Sequence, residues 1–126
     1  MTDVRHQTGF PPNEGPAAEL LRTELVAGDP PVLRVAGEID LSTADQLRTA
    51  LEEALSAGPD VVIDMAAVTF FDASGLRVVL QVAESLNGQG PLTLFNARRV
   101  ARVLALVGLT DLPSIVVREK GDALGR

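Results

Sequence analysis

The segment FFDASGL, residues 70–76, sets an acid, a hydroxyl and a glycine between two apolar runs, DVVIDMAAVT and RVVLQVAESL. Residues of these types at this spacing permit two kinds of chemistry. The carboxylate of Asp72 and the hydroxyl of Ser74 can each accept from the orphan N–H groups at the start of a helix. An acid there also suits the positive end of the helix dipole. The Ser74 hydroxyl can instead carry a phosphate, whose charge of about −1.5 to −2 would meet those same N–H groups. Ala73 and Gly75 let the backbone turn tightly between strand and helix. On physics alone capping is the simpler account, because it requires no function.

Three carboxylates, Asp40, Asp64 and Asp72, would bind a metal or share protons if the fold gathered them at one end of a sheet. The rest of the composition argues against catalysis. There is no cysteine, and His6 is the one histidine, placed in a polar N-terminal segment. Thiolate nucleophiles, cysteine-type zinc sites and histidine triads are therefore excluded. GQG at 88–90 reads as a turn and not as a dinucleotide fingerprint. The carboxylates are read as caps and turn residues, and no cofactor or metal is expected. PDVVIDM also resembles the acceptor strand of a phospho-aspartate receiver, with Asp64 as acceptor. That chemistry needs further acids to hold Mg²⁺ and a nearby lysine. The first strands offer no acidic pair, and the sole lysine, Lys120, lies in the C-terminal tail. Asp64 is thus expected in a loop or at a helix cap.

These side chains have to be placed by one domain, since 126 residues with 46% hydrophobic content suit a single core. Aromatic residues make up 3%, so packing must rest on Val, Leu, Ile and Ala. A net charge of −6 disfavours nucleic acid and anionic membrane as partners. MTDVRHQTGF lacks the apolar run of a signal peptide, and no stretch has the length of a membrane span. A cytoplasmic protein is expected.

Residues 1–18, with FPPNEGP, have no periodic pattern and read as a tail; residues 119–126 read as a second. Between them, 19–118 form the domain. The run Leu20–Val26, the turn GDPP and VLRVAGEI at 32–39 suggest a hairpin. Leu47, Ala50, Leu51, Ala54 and Leu55 recur at helical spacing, predicting a helix from about Thr43 to Ala57. Ser42 with Asp45, and Thr43 with Gln46, offer two capping-box registers, and Gly58-Pro59 supplies a stop. DVVIDMAAV, 60–68, reads as a strand buried on both faces. A second helical stripe runs through Leu76, Val79, Leu80 and Ala83 to Asn87-Gly88, and PLTLF at 91–95 is another strand. Val100, Val103, Leu104 and Val107 form a third stripe ending at Gly108, and SIVV at 114–117 is the last strand. Arg98, Arg99 and Arg102 near the third helix's start read as a solvated face, with an acidic partner as the alternative. The order ββ-α-β-α-β-α-β implies an α/β fold with a mixed, mostly parallel sheet.

Three segments together resemble the STAS-domain family of anti-sigma factor antagonists, over about residues 20–117. GEIDLSTADQLRTAL looks like the family's first motif. DVVIDMAAVTFFDASGLRVVL looks like the second, a strand entering a D-[ST]-[ST]-G-L turn. LTLFNARRVARVLALVGL looks like the third, with its Leu-x-x-x-Gly-Leu ending. The resemblance implies a protein that binds a serine-kinase anti-sigma factor and so releases a sigma factor. The kinase phosphorylates the turn to break the complex, and a serine phosphatase restores it. The implied contact surface comprises Asp40, Ser42, Asp72, Ala73, Ser74 and Gly75. The family's usual acceptor directly follows the Asp, and here that position is Ala73, which has no hydroxyl. Ser74 matches the second hydroxyl position. Three readings stay open: Ser74 as acceptor one residue along, a permanently active antagonist, or a phosphorylation-independent module in another signalling assembly.

Overall fold

The computed structural model describes residues 20–58 and 60–119. The expected tail at 1–18, and the C-terminal one beyond Glu119, lie outside the described residues. Five strands and three helices alternate after an opening hairpin: β1 (Leu21–Val26), β2 (Val32–Ile39), α1 (Ala44–Ser56), β3 (Val62–Phe71), α2 (Ala73–Ser85), β4 (Leu92–Phe95), α3 (Arg98–Leu106) and β5 (Ile115–Arg118). The sheet order is β1-β2-β3-β4-β5, antiparallel between β1 and β2 and parallel thereafter. This is the expected element order and the expected mixed sheet. Each parallel step is made by a helix, and α1, α2 and α3 lie side by side as one layer, α1 on β1 and β2, α2 and α3 on β3.

The core between the layers is aliphatic, as the scarcity of aromatics requires. Leu33, Val35, Ile39, Ile63, Met65, Leu92, Leu94 and Ile115 from the strands meet Leu47, Leu51, Val78, Val79, Val82 and Val100 from the helices. The α1 stripe is buried as predicted at Leu47, Ala50, Leu51 and Ala54. In α3 only part of the stripe is covered: Val100 and Leu104 are buried, whereas Val107, past the helix end, is 54% exposed.

β3 departs from expectation. It runs to Phe71 instead of stopping at Val68. Its register against β2 shifts twice, so that Arg34 to Ala36 spans Asp64 to Ala67, and Gly37 to Glu38 spans Val68 to Phe70. Each shift gives β3 one extra residue, a bulge that bends the strand and resets which face its side chains take. Burial falls on Val62, Ile63, Met65, Val68 and Phe71 while Ala66, Ala67, Thr69 and Phe70 are exposed, so the strand is not buried on both faces as its continuous apolar run suggested. Gly37 sits at the second shift with φ +109, where a Cβ would lie 2.1 Å from the Leu20 carbonyl oxygen. Only glycine lets the start of β1 close on β2 there, where the Glu38 N–H donates to Leu20 O at 2.8 Å.

Candidate functional site

β2 and β3 end together. Ile39 is paired with Phe71, and one residue on, the Asp72 N–H donates to Ile39 O at 3.3 Å. This places the loop from Asp40 to Thr43 beside the turn from Asp72 to Gly75, at the carboxyl ends of parallel strands. Loops in that position carry the sites of open α/β sheets.

Asp72 is the N-cap of α2. Its backbone is extended (φ −126, ψ −168), and its Oδ1 accepts from the Ser74 N–H at 2.8 Å. Ser74 is inside the first turn and caps nothing, so the capping account of its hydroxyl is corrected: a cap must precede the helix, and Asp72 holds that place. The Ser74 hydroxyl has no hydrogen-bond partner among the described residues, and the residue is half-buried. Ala73 is exposed. Gly75 is buried, and a Cβ on it would stand 2.5 Å from Ile39 Cγ2 and 2.6 Å from Phe71 Cε1. Its lack of a side chain lets α2 press onto the ends of β2 and β3.

The neighbouring loop is held by side chains. Asp40 Oδ1 accepts from the Ser42 N–H at 2.9 Å and from the Ser42 hydroxyl at 2.7 Å. The Thr43 hydroxyl donates to Glu38 O at 2.8 Å and accepts from the Asp40 N–H at 3.0 Å. The Ser42 hydroxyl bond is the chief reason the Asp40 carboxyl titrates below its ordinary value, with the backbone N–H bonds adding to it and burial opposing it. Neither capping box forms. Thr43 is the N-cap of α1 but turns its hydroxyl back to β2, and the Gln46 amide donates instead to Leu21 O at 2.9 Å, on β1.

The loops also present apolar surface that composition and periodicity did not single out. Leu41 is 83% exposed and Phe70 47% exposed. Leu41 adjoins Asp40, and Phe70 faces outward opposite Glu38 while Phe71 faces in. The available signal was an apolar residue, Leu41, inside the polar run DLST.

The three carboxylates weighed for metal or proton chemistry do not gather. Asp64 lies within β3, contrary to the loop or cap expected of it, eight residues before Asp72 and so roughly 25 Å away along the strand. Its Oδ1 is engaged by the Ala66 N–H at 3.0 Å and the Asn96 amide at 3.3 Å. Among the described residues no group of three or more His, Cys, Asp or Glu is placed to hold a metal ion. No described helix is long and apolar enough to cross a membrane.

A mixed five-stranded sheet under one helical layer, with a capped Asp-x-Ser-Gly turn beside the β2–α1 loop, is a small α/β fold. The family described as Mlab, STAS domain matches residues 24–117, and the chain belongs to it. An anti-sigma-B factor antagonist of Bacillus subtilis (strain 168) is 32% identical over 91 residues, covering 71% of this chain and 84% of the relative. The crystal structure of an anti-sigma factor antagonist from Mycobacterium paratuberculosis superposes with a TM-score of 0.60 at 26% identity, over 76% of this chain and 85% of that one. The unphosphorylated anti-sigma factor antagonist SpoIIAA shares the fold, with a TM-score of 0.59 at 24% identity over 81% of this chain and 92% of its own.

Proposed function

We propose that this chain is an anti-sigma factor antagonist: a cytoplasmic binding module, without catalysis, that engages a serine-kinase anti-sigma factor and so releases a sigma factor. Contact is made by the paired loops, through Asp40, Leu41, Ser42, Phe70, Asp72, Ala73 and Ser74, with Gly75 shaping the turn from beneath. The observation that carries this reading is the junction of Asp72 with Ile39, which joins both loops into one exposed surface. Relatives described as anti-sigma factor antagonists support it. A phosphate on Ser74 would add about −1.5 to −2 charge beside two carboxylates. It would replace a small neutral surface with a crowded anionic one and expel the partner; a serine phosphatase would reverse this.

The presence of Ala73 where the family's usual acceptor stands favours a second reading, in which binding persists and phosphorylation plays no part. The test is affinity capture from the native host, then titration calorimetry with the recovered anti-sigma factor. Ser74→Asp should weaken binding at least tenfold, and Ser74→Ala should bind normally. Incubation with the recovered kinase and ATP should add one phosphate, mapped to Ser74; no phosphate, with normal binding, selects the second reading. Unchanged affinity on Ser74→Asp would reduce the turn to architecture.

A further inference from the structure

We propose that the cleft between the far half of β3 and the start of α3 docks an extended acidic segment of a partner protein, gripping its carboxylates with Arg98 and Arg99. The site is separate from the turn and does not rest on the anti-sigma reading.

The cleft arises from unequal strand lengths. β3 pairs with β4 at Ile63↔Leu94 and Asp64↔Phe95; β4 then stops while β3 continues to Phe71. A strand edge left this way invites another chain to add to it. Side chains answer that invitation here. The Ala66 N–H donates to Asp64 Oδ1 at 3.0 Å, and Arg99 Nε donates to Val68 O at 3.1 Å. An incoming chain therefore has to bind through its side chains, and not as a sixth strand.

What the cleft offers is cationic. It encloses about 460 Å³ between Met65, Ala66 and Val68 on one side and Arg98 and Arg99 on the other. The Nε bond fixes the Arg99 head group and leaves its two terminal nitrogens without partners among the described residues. Arg98 is exposed and likewise has none, and Arg102 stands exposed one turn further along α3. A guanidinium already fixed in place loses little freedom on binding and can take a carboxylate through two parallel hydrogen bonds. Charge contrast selects the occupant: the chain carries −6 overall, yet three arginines fall within 98–102 with no acid among them. A small anion would meet the arginines alone. A glutamate-bearing segment would also lay aliphatic stems and apolar neighbours along the Met65–Val68 wall. Glu119 lines the same cleft.

The test is fluorescence anisotropy on the full chain at low ionic strength, with a short labelled peptide repeating Glu-Val-Glu-Ser and a neutral counterpart repeating Gln-Val-Gln-Ser. The acidic peptide should bind and the neutral one should not. Arg98→Gln, at an exposed position that leaves the Val68 bond intact, should weaken binding by about tenfold, the effect of losing a charge-assisted bidentate contact. Arg48→Gln, which changes net charge equally but lies on α1, should leave it unchanged. Equal losses at Arg98 and Arg48, or equal binding of the neutral peptide, would overturn the proposal. Inorganic phosphate that binds with the same Arg98 dependence and displaces the peptide would likewise overturn it, in favour of a small-anion site.

Discussion

Asp72 and Ser74 stand two residues apart and have different roles. The Asp72 carboxylate satisfies an N–H that would otherwise be an orphan of α2, and removing such a cap typically costs about 0.5–2 kcal/mol. The Ser74 hydroxyl satisfies nothing within the described fold. In urea unfolding, Asp72→Ala should therefore lose about 0.5–2 kcal/mol, while Ser74→Ala should stay within about 0.5 kcal/mol of the parent. A large loss at Ser74 would restore the capping account. Sequence narrowed the cap to these two residues but did not choose between them, because either side chain can accept from a helix start and only the backbone shows which precedes it. Asp40 makes a second residue-scale prediction. Its carboxyl is held ionised by the Ser42 hydroxyl and N–H, so its folded pKa lies below the unfolded one. The stability it contributes is present above the unfolded value, near 3.9, and fades as pH falls through the lower, folded value. Carboxyl NMR titration should place the Asp40 midpoint below that of an ordinary aspartate. Asp40→Asn should be destabilising at neutral pH and nearly silent once the wild-type carboxyl is protonated.

At the scale of elements, the helices were legible because their apolar stripes keep a period of 3.6, and burial follows it in α1 and α2. β3 was legible as a strand, but its continuous apolar run suggested burial on both faces and an end at Val68, and neither holds. Two extra residues set Val68 and Phe71 inward at a spacing of three, a pattern that alternation cannot report. Loop chemistry was misjudged for a related reason. Ser42, Thr43, Asp45 and Gln46 are the types a capping box uses, but tertiary partners outbid the local ones: Thr43 turns to Glu38 O and Gln46 to Leu21 O. Thr43 is 5% exposed, and replacing its hydroxyl removes the partner of both the Glu38 carbonyl and the Asp40 N–H. Thr43→Val, which keeps the volume, should cost about 1–3 kcal/mol, far more than a surface change. Gly75 makes a comparable claim for the α2–sheet contact. Ile39 and Phe71 are both buried and cannot move aside easily, so overpacking at Gly75→Ala should outweigh the better helix propensity of alanine. A chemical-denaturation midpoint lower than the parent's, by about 1–2 kcal/mol in free energy, is expected.

For the whole molecule, the parallel strands collect their loops on one edge, and that edge holds both surfaces described above. One is small, acidic and rimmed by apolar residues; the other is cationic. The resemblance of three motifs indicated the first, but the rim went unread, since the one signal for Leu41 was its place inside the polar run DLST. Leu41 separates binding from folding better than any residue of the turn. At 83% exposure it adds little to the core, so Leu41→Asp should change stability by no more than about 0.5 kcal/mol. If the paired loops are the contact surface, Leu41 lies at its edge beside Asp40 and is covered in the complex. A charge there would be stripped of water and left unpaired, and affinity for the anti-sigma factor should fall by about tenfold or more. Calorimetric titration against the captured partner, with denaturation of the same preparation, reads both quantities. A folded Leu41→Asp variant that binds as tightly as the parent would move the contact surface away from the Asp40 loop and leave the Asp72–Ser74 turn to carry it alone.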